Sequence, residues 1–183
     1  SVANDQPISA AYPYHNPDLP QTVYDPDQAR ALFKKAGVEG TTIPLHVADT
    51  PFTGAVDAAQ LYREHAMAAG VELEVIREPD DGYWSNIWGK KPFFATEWSG
   101  RVNEDAMLSL AYSRESIGGW NETGWDNEAF NTALLAARGE KDEAKRRELY
   151  WECQRLIHDD CGLVAPVWAD FLDAASANVR HGE

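Results

Sequence analysis

The chain has 183 residues, and 16 Lys and Arg against 30 Asp and Glu give it a formal charge of −14. Hydrophobic residues make up 44% of the chain and charged residues 25%, which is the composition of a globular protein and excludes general disorder. The acidic balance argues against nucleic acid or an anionic membrane surface as a partner, because binding there would gain nothing from counterion release.

The N-terminal part of the chain predicts an irregular segment followed by a helix. Residues 1–24 are rich in Pro, Asn, Asp and Tyr and show no periodicity. Residues 25–28 read Asp-Pro-Asp-Gln, which places a carboxylate at the N-cap, Pro at the first helical position and Gln three residues after the cap. Gly37 then predicts the end of this helix.

The next part of the chain predicts a strand–helix–strand unit. Residues 42–48 and 71–76 alternate in polarity as strands do, and residues 55–69 between them have helical periodicity closed by Gly70. Two strands joined by a helix favour parallel pairing, so the expected fold class is α/β.

The remaining residues predict short alternating elements without an internal repeat or a linker. In chain order, these elements are a short helix or turn at 81–89, a buried strand at 92–99, a helix at 105–112, a loop at 113–125, helices after Asn127 and over 141–157, and closing strands at 162–168 and 171–174. Residues 1–183 are therefore predicted to form a single domain.

No pattern in the sequence predicts a metal ion, a cofactor or a catalytic group. Cys153 and Cys161 are eight residues apart, which matches no CxxC spacing, and the five histidines are scattered. No serine lies in a GxSxG sequence, and no glycine-rich phosphate loop is present. Glutamates are common in an acidic chain, so pairs such as Glu97 with Glu104, or Asp80 with Asp81, are weak indications of a hydrolase.

Several motifs in a fixed order carry a resemblance to a known family. They are the helix start at 24–32 with its Lys-Ala-Gly end at 35–37, the strand tail at 69–74, the aromatic pair at 83–84, the Trp-Ser-Gly-Arg sequence at 98–101, the segment at 125–130 and the amphipathic sequence at 145–156. Over about residues 10–180 the chain resembles the family 5 extracellular solute-binding proteins, which are the peptide, nickel and oligosaccharide receptors of bacterial ABC importers.

The resemblance implies an α/β fold, namely one lobe of a type II periplasmic-binding-protein-like fold with a sheet flanked by helices. It covers only the second lobe of such a receptor, called domain III, so the chain is expected to be a C-terminal ligand-binding lobe. The implied function is non-enzymatic: capture of a small solute, a peptide or a related molecule, in a cleft between two lobes, and delivery to a permease. The implied partners are the first lobe of the same protein, the ABC permease subunits and the ligand, with a monomeric receptor located in the periplasm.

The expected ligand-binding residues begin with Trp98, Ser99, Gly100 and Arg101, at the exit of a predicted strand. Open α/β sheets bind ligands at the carboxyl ends of their strands. Gly100 lets the backbone approach a ligand, and Arg101 can hold a carboxylate or phosphate through two hydrogen bonds. Arg101 stands where oligopeptide receptors carry an Asp for the peptide's amino terminus, which argues against a ligand held by its α-amine. The alternative is an ion pair between Arg101 and a nearby acid: Glu97, Glu104 or Asp105.

Aromatic residues supply the second group of expected binding residues. Tyr83 and Trp84, with Trp88 beside them, form a cluster in a turn, and aromatic faces give large contact area at low entropic cost. Trp120 lies in a Gly-Gly loop and is expected at the rim of the cleft. The alternative for the cluster is ordinary core packing, and for Trp120 it is simple exposure.

A disulfide between Cys153 and Cys161 is also expected. If the last long helix ends near residues 158–160, a turn at Cys161 and Gly162 brings the two Cα atoms within the roughly 4.4–6.8 Å that a disulfide requires. Family members usually carry other residues at both positions, so a pair explains the two cysteines better than two independent changes, and the periplasm permits the bond. The alternative is a small buried apolar residue at 153 and a thiol at 161.

Two other classes of function stay open at this point. The seven tryptophans also suit a secreted carbohydrate-binding module. The acidic pairs in an aromatic groove also suit a glycoside hydrolase.

Overall fold

The computed structural model describes residues 1–170, 172, 174–176 and 178. Contacts among them divide the chain into two compact units, one of Thr22–Asn127 and the other of Ser1–Gln21 with Glu128–Glu183. The single domain over residues 1–183 stays a prediction.

The Thr22–Asn127 unit begins with helix α1 (Pro26–Ala36), whose two ends follow the sequence signals. The Asp25 carboxylate accepts a hydrogen bond from the Gln28 backbone N–H at 2.8 Å and caps the first turn. Gly37 ends the helix at a φ of 71°, a left-handed conformation that favours glycine, and its N–H bonds to carbonyls of the last turn. The predicted bounds of this helix are confirmed.

A parallel strand–helix–strand crossover forms the centre of the same unit. It consists of strand β1 (Thr42–Val47), helix α2 (Ala55–Ala68) and strand β2 (Glu72–Arg77). The register pairs Thr42 with Glu72 at one end and Val47 with Arg77 at the other. The α/β prediction is thereby confirmed, and the predicted bounds differ from the observed ones by one residue.

Two small apolar clusters hold the crossover together. The members of the first, which joins β1 to α2, are Leu45, Val47, Ala55 and Ala59. The second joins the start of β2 to the end of α2 and is flanked by side chains of α1; its buried members are Ala69, Val71 and Leu73. Phe93 packs against both clusters, so the segment after β2 is held against the sheet.

The predicted buried strand at 92–99 is wrong in extent. Only one residue of this segment pairs with β1: Phe94 forms a parallel bridge to His46, through hydrogen bonds from His46 N to Phe93 O and from Ala95 N to His46 O. Pro92 lacks an N–H, so the ladder cannot extend through it. The side chains of this segment are half-buried or exposed.

Short helices complete this unit. They are α3 (Tyr83–Asn86), α4 (Glu104–Tyr112) and a single 3₁₀ turn at Arg114–Ser116. The Asn103 side chain caps α4 by accepting a hydrogen bond from the Ala106 N–H at 2.8 Å.

The second unit is built on two long helices, α5 (Glu128–Gly139) and α6 (Glu143–Asp160). Their buried residues recur at helical spacing. On α5 they are Phe130, Ala133, Leu134 and Ala137, and on α6 they are Tyr150, Cys153, Gln154, Leu156 and Ile157. Both helices were predicted, and α6 extends three residues beyond its predicted end.

The N-terminal segment of the chain is fixed to α6 by a buried amide. Gln154 is fully buried; its oxygen accepts from Asn16 N at 2.9 Å, and its nitrogen donates to Tyr14 O at 2.8 Å. The Tyr14 ring stacks on Tyr150 with centroids 5.4 Å apart. An irregular segment thereby satisfies its backbone groups on a helix and not in a sheet.

Residues at the start of the chain pair with residues 165–168. Val2 forms an antiparallel bridge to Val167, and the Ser1 amine donates to Trp168 O at 2.9 Å. The closing strand predicted at 162–168 is thus reduced to one bridge. The strand predicted at 171–174 includes Phe171 and Asp173, which lie outside the described residues.

The predicted disulfide is also wrong, because no bond joins Cys153 to Cys161. Helix α6 ends at Asp160, within the range expected for its end, and Cys161 is its C-cap, so no turn lies between the two cysteines. Eight residues of helix at about 1.5 Å each span about 12 Å along the axis, which is beyond the reach of a disulfide.

Candidate ligand-binding site

Four indole rings of the Thr22–Asn127 unit form a connected row, called here the tryptophan row: Trp84, Trp88, Trp120 and Trp98. Successive ring centroids lie 6.4, 5.7 and 6.0 Å apart, and each pair meets edge to face. This geometry is the favourable one for aromatic pairs. Residues that are up to 36 positions apart in the sequence thus share one surface.

Tyr83 is a buried ring that packs against the Trp84 end of the tryptophan row. Its ring contacts Trp84 at 5.7 Å and is only 1% exposed. Its hydroxyl donates to Ala95 O at 2.6 Å and lies 3.3 Å from His46 O, and burial raises its pKa to about 12. The expectation that Tyr83 contacts a ligand is therefore corrected: its ring and hydroxyl join α3 to β1 and to the segment after Pro92.

A single carboxylate anchors the row. One oxygen of Glu122 accepts a hydrogen bond from the Trp98 indole N–H at 2.7 Å. The other oxygen accepts from the Trp88 indole N–H and from the Thr96 hydroxyl, the latter at 3.3 Å. Burial raises the pKa of Glu122 above its usual 4.5, and the three hydrogen bonds oppose that shift in part.

The loop that carries Glu122 is closed by its neighbour Asn121. The buried Asn121 amide donates to Ser113 O at 3.1 Å and to Trp125 O at 3.0 Å, and its oxygen accepts from the Thr123 hydroxyl at 2.8 Å. Gly118 turns the chain at a φ of 80°. Glu122 could not be identified from the sequence, since its indole partners lie 24 to 34 residues away and no local pattern marks it.

Arg101 lies at the Trp98 end of the tryptophan row. Its guanidinium carbon is 5.1 Å from the centroid of the Trp98 ring, a cation–π contact. Its Nη1 donates to Ser99 O at 2.7 Å, so the Trp-Ser-Gly-Arg sequence forms a compact turn. Ser99 and Gly100 are exposed on this turn.

The row presents a surface that can bind an apolar or aromatic group next to an anion. Trp84 is 44% exposed and Trp120 is 54% exposed, while Trp88 and Trp98 are half-buried. The expected site residues other than Tyr83 therefore lie in or beside one aromatic surface with a cation at one end. Apolar walls with a few placed polar groups are typical of small-molecule sites.

The carboxylate pairs considered for a hydrolase, possible metal ligands and the groove along β2 do not form a comparable site. Glu97 is exposed and Glu104 is buried in the first turn of α4, so the two carboxylates have opposite environments. Within the described residues, no group of three or more His, Cys, Asp or Glu side chains is placed to hold a metal ion. A groove of about 740 Å³ runs along β2 and is lined by none of the tryptophans; Arg63, Met67, Glu72 and Glu74 are among its residues.

The profile of the bacterial extracellular solute-binding proteins, family 5 (middle part), matches residues 1–120. The chain belongs to this family. The expectation drawn from the ordered motifs is thereby confirmed, and so is a substrate-binding role at the level of the family. The family is one of solute-binding proteins and not of enzymes.

Curated relatives are similar over most of the chain. Di/tripeptide-binding protein 2 of Pseudomonas aeruginosa is 27% identical over 97% of this chain and 36% of its own length. The dipeptide-binding protein of Escherichia coli is 28% identical over 79% of this chain and 28% of its own length. The chain therefore spans about a third of the length of the curated relatives that it matches.

Solved structures show the same fold. A structure of HbpA2 from Haemophilus parasuis matches 86% of this chain and 32% of its own chain with a TM-score of 0.76 and 22% identity. NikZ from Campylobacter jejuni, in complex with Ni(L-His), matches 87% of this chain and 35% of its own chain with a TM-score of 0.74 and 17% identity. The α/β lobe of a type II periplasmic binding protein is thus confirmed as the fold. No helix in the described part of the chain is long and apolar enough to cross a membrane.

Proposed function

We propose that this chain is the second, ligand-binding lobe of a solute receptor that serves an ABC importer. The observation that carries the proposal is the tryptophan row, half-exposed and ending at the Arg101 guanidinium. Membership of a solute-binding family supports it. The receptor works outside the cytoplasm, in the periplasm, as a monomer that hands its solute to the permease subunits.

The solute in this proposal is a small peptide or a related molecule. Its apolar part lies on the exposed faces of Trp84 and Trp120, and a carboxylate pairs with Arg101. Two observations support this class: several relatives are named as di- or tripeptide-binding proteins, and arginine holds carboxylates through directed, charge-assisted hydrogen bonds.

Closure of a first lobe over this surface completes the proposed mechanism. The chain spans about a third of its relatives' length, so most of a two-lobed receptor lies outside it. Contacts that form only in the closed state supply the differential affinity that drives hinge closure.

The test uses the two-lobed receptor that the proposal requires, expressed from the full reading frame around this chain. Calorimetric titration with a panel of di- and tripeptides is expected to identify a ligand. Trp120→Ala and Arg101→Ala should each weaken its binding by about tenfold or more, since each removes a central contact. Leu61→Ala is the matched control, because Leu61 is also 54% exposed but lies on α2. Unchanged affinity in both site variants contradicts the proposal.

A carbohydrate-binding module is the second candidate, because exposed indole faces also stack on sugar rings. The same titration therefore includes neutral oligosaccharides. Sugar binding by this 183-residue chain alone, lost in Trp120→Ala, favours the module over the transport receptor. Hydrolysis of a glycoside that Glu97→Gln abolishes would instead favour the enzyme.

A further inference from the structure

Three separate segments of the chain converge on the Glu122 carboxylate. Trp88 follows helix α3, Thr96 and Trp98 follow the bridge to β1, and Glu122 lies in the loop at 113–125. The sequence separations from Glu122 are 34, 26 and 24 residues. The carboxylate is therefore the point at which the two neighbours of the Trp120 ring are tied to the loop that carries that ring.

The donors match what an ionised carboxylate can accept. An indole N–H is a donor only, and a carboxylate offers two oxygens and no proton. One indole bonds to each oxygen of Glu122, with the Thr96 hydroxyl as a third donor. A glutamine would present one oxygen and one NH₂ group, so it could serve only one of the two indoles and would oppose the other.

These hydrogen bonds of Glu122 affect the orientation of the Trp120 ring. This ring is 54% exposed and lies between Trp88 at 5.7 Å and Trp98 at 6.0 Å. Glu122 fixes both of these neighbours, and it is only two residues from Trp120 in the same loop. The orientation of the exposed ring is thereby set from two sides.

We propose that Glu122 is a positioning residue for ligand binding, which holds the Trp88 and Trp98 rings through their N–H groups and so presets the face of Trp120. The inference rests on the proposed function, in which the tryptophan row contacts the solute. A surface that is ordered before the solute arrives does not lose that ordering entropy on binding, which raises affinity.

The electrostatics of Glu122 support a role other than stability. Burial raises its pKa in spite of three hydrogen bonds, so the folded protein is penalised for keeping this group charged. Removing charged groups from water is costly even when they are paired.

The first test reads the two indoles directly. In ¹H–¹⁵N spectra of the 183-residue chain, the Trp88 and Trp98 indole N–H signals are expected to move in Glu122→Ala, and at least one of them in Glu122→Gln. Glu115→Gln, which neutralises an exposed carboxylate of the same loop, is the matched control and should leave both signals in place. Unmoved indole signals in Glu122→Ala overturn the proposal, whether or not the protein binds peptides.

The second test reads binding in the two-lobed receptor, with the tightest peptide of the panel as the probe. Glu122→Gln is expected to weaken binding about fivefold to tenfold through lost preorganisation, with an unchanged far-UV circular dichroism spectrum. In a Trp88→Phe/Trp98→Phe background, which lacks both N–H donors, Glu122→Gln should have no further effect.

The outcomes separate the two proposals. A full additional loss in the Phe/Phe background means that Glu122 touches the solute itself, which overturns the positioning role. An unchanged affinity in Glu122→Gln overturns that role as well. If Trp120→Ala leaves affinity unchanged, the proposed function fails, and the indole spectra still show whether Glu122 holds the rings.

Discussion

Glu122 couples the stability of the Thr22–Asn127 unit to pH. Burial disfavours its charged form, and the hydrogen bonds from Trp88, Trp98 and Thr96 offset this only in part, so its folded-state pKa lies above 4.5. Between 4.5 and the folded pKa, the folded state binds more protons than the unfolded state does. Its contribution to stability is therefore complete below pH 4.5 and is lost as the pH rises through the folded pKa.

The direction of this pH dependence predicts how Glu122→Gln changes the stability of the protein. Relative to the variant, the wild-type free energy of unfolding should fall as the pH rises from 4.5 toward 7.5, because glutamine has no proton to lose. Urea unfolding followed by tryptophan fluorescence at several pH values measures the difference. Glu115→Gln controls for the other titrating groups. A wild-type–variant gap that does not change with pH contradicts the prediction.

Tyr83 is expected to contribute to the stability of the fold through its hydroxyl group, and not to contact a ligand. Tyr83→Phe leaves the Ala95 and His46 carbonyls without their buried donor, which should cost about 1–3 kcal/mol of unfolding free energy. Tyr24→Phe is the matched control, since the Tyr24 hydroxyl donates to His65 O at an exposed position and its loss should cost little. Equal losses in the two variants from urea titrations would show that burial is not the cause.

The pKa of about 12 adds an alkaline signature to Tyr83. From pH 10 to 12 the folded state keeps a proton that the unfolded state has released. The stability that this proton provides is present below pH 10 and is lost as the pH rises through 12. Absorbance at 295 nm in the folded Tyr83→Phe variant should therefore lack the phenol ionisation that Tyr83 contributes near pH 12.

At the scale of elements, the end of α1 depends on one backbone conformation. A Cβ at Gly37 would meet nothing within 4 Å, so the cost of Gly37→Ala comes from its φ of 71° alone. That cost is about 1–2 kcal/mol. Gly139→Ala is the control, because Gly139 is the last residue of α5 with equally open space and no left-handed φ. In thermal unfolding, the midpoint temperature of Gly37→Ala should lie below that of the wild type. The midpoint of Gly139→Ala should equal or exceed the wild-type value.

The positions of Cys153 and Cys161 on helix α6 determine how fast each thiol reacts. Cys153 is buried and Cys161 is half-buried at the C-cap, so a thiol reagent should react slowly with the first and faster with the second in the folded protein. Under denaturing, non-reducing conditions two thiols per chain are expected. A count of zero would show that the protein forms the disulfide after all and that α6 ends earlier in solution.

Elements with local signals were predictable from the sequence, and those that depend on distant partners were not. The Asp-Pro cap and Gly37 define α1 within a dozen residues, and alternation defines β1 and β2. The segment at 92–99 also looked like a strand, but its pairing depends on β1 and stops at one bridge. The apolar periodicity of helix α6 stopped at Ile157, three residues before the helix itself ends, because residues 158–160 are all polar.

In the candidate site, too, some residues were predictable from local sequence and others depended on distant partners. Its aromatic and arginine residues could be named in advance, since they are large and cluster near a strand end. Glu122 could not, because a carboxylate becomes an anchor only when two indole N–H groups from remote segments reach it.

At the scale of the whole molecule, the chain alone should bind its solute poorly. It spans about a third of the length of its relatives, and in the proposed receptor half of the cleft belongs to the other lobe. Calorimetric titration of this chain with di- and tripeptides is expected to give weak binding or none. Submicromolar binding would show that one lobe holds a complete site. The two-lobed receptor is the positive control.

The pairing of residues 1–5 with 165–168 has a consequence for protein engineering. Because Ser1 and Trp168 are hydrogen-bonded neighbours, a short linker can join the two ends of this stretch without crossing the rest of the molecule. New termini then belong in an exposed connection such as residues 141 and 142, between α5 and α6. Such a circular permutant keeps every hydrogen bond of the buried Gln154 and reverses the order in which the two long helices are synthesised.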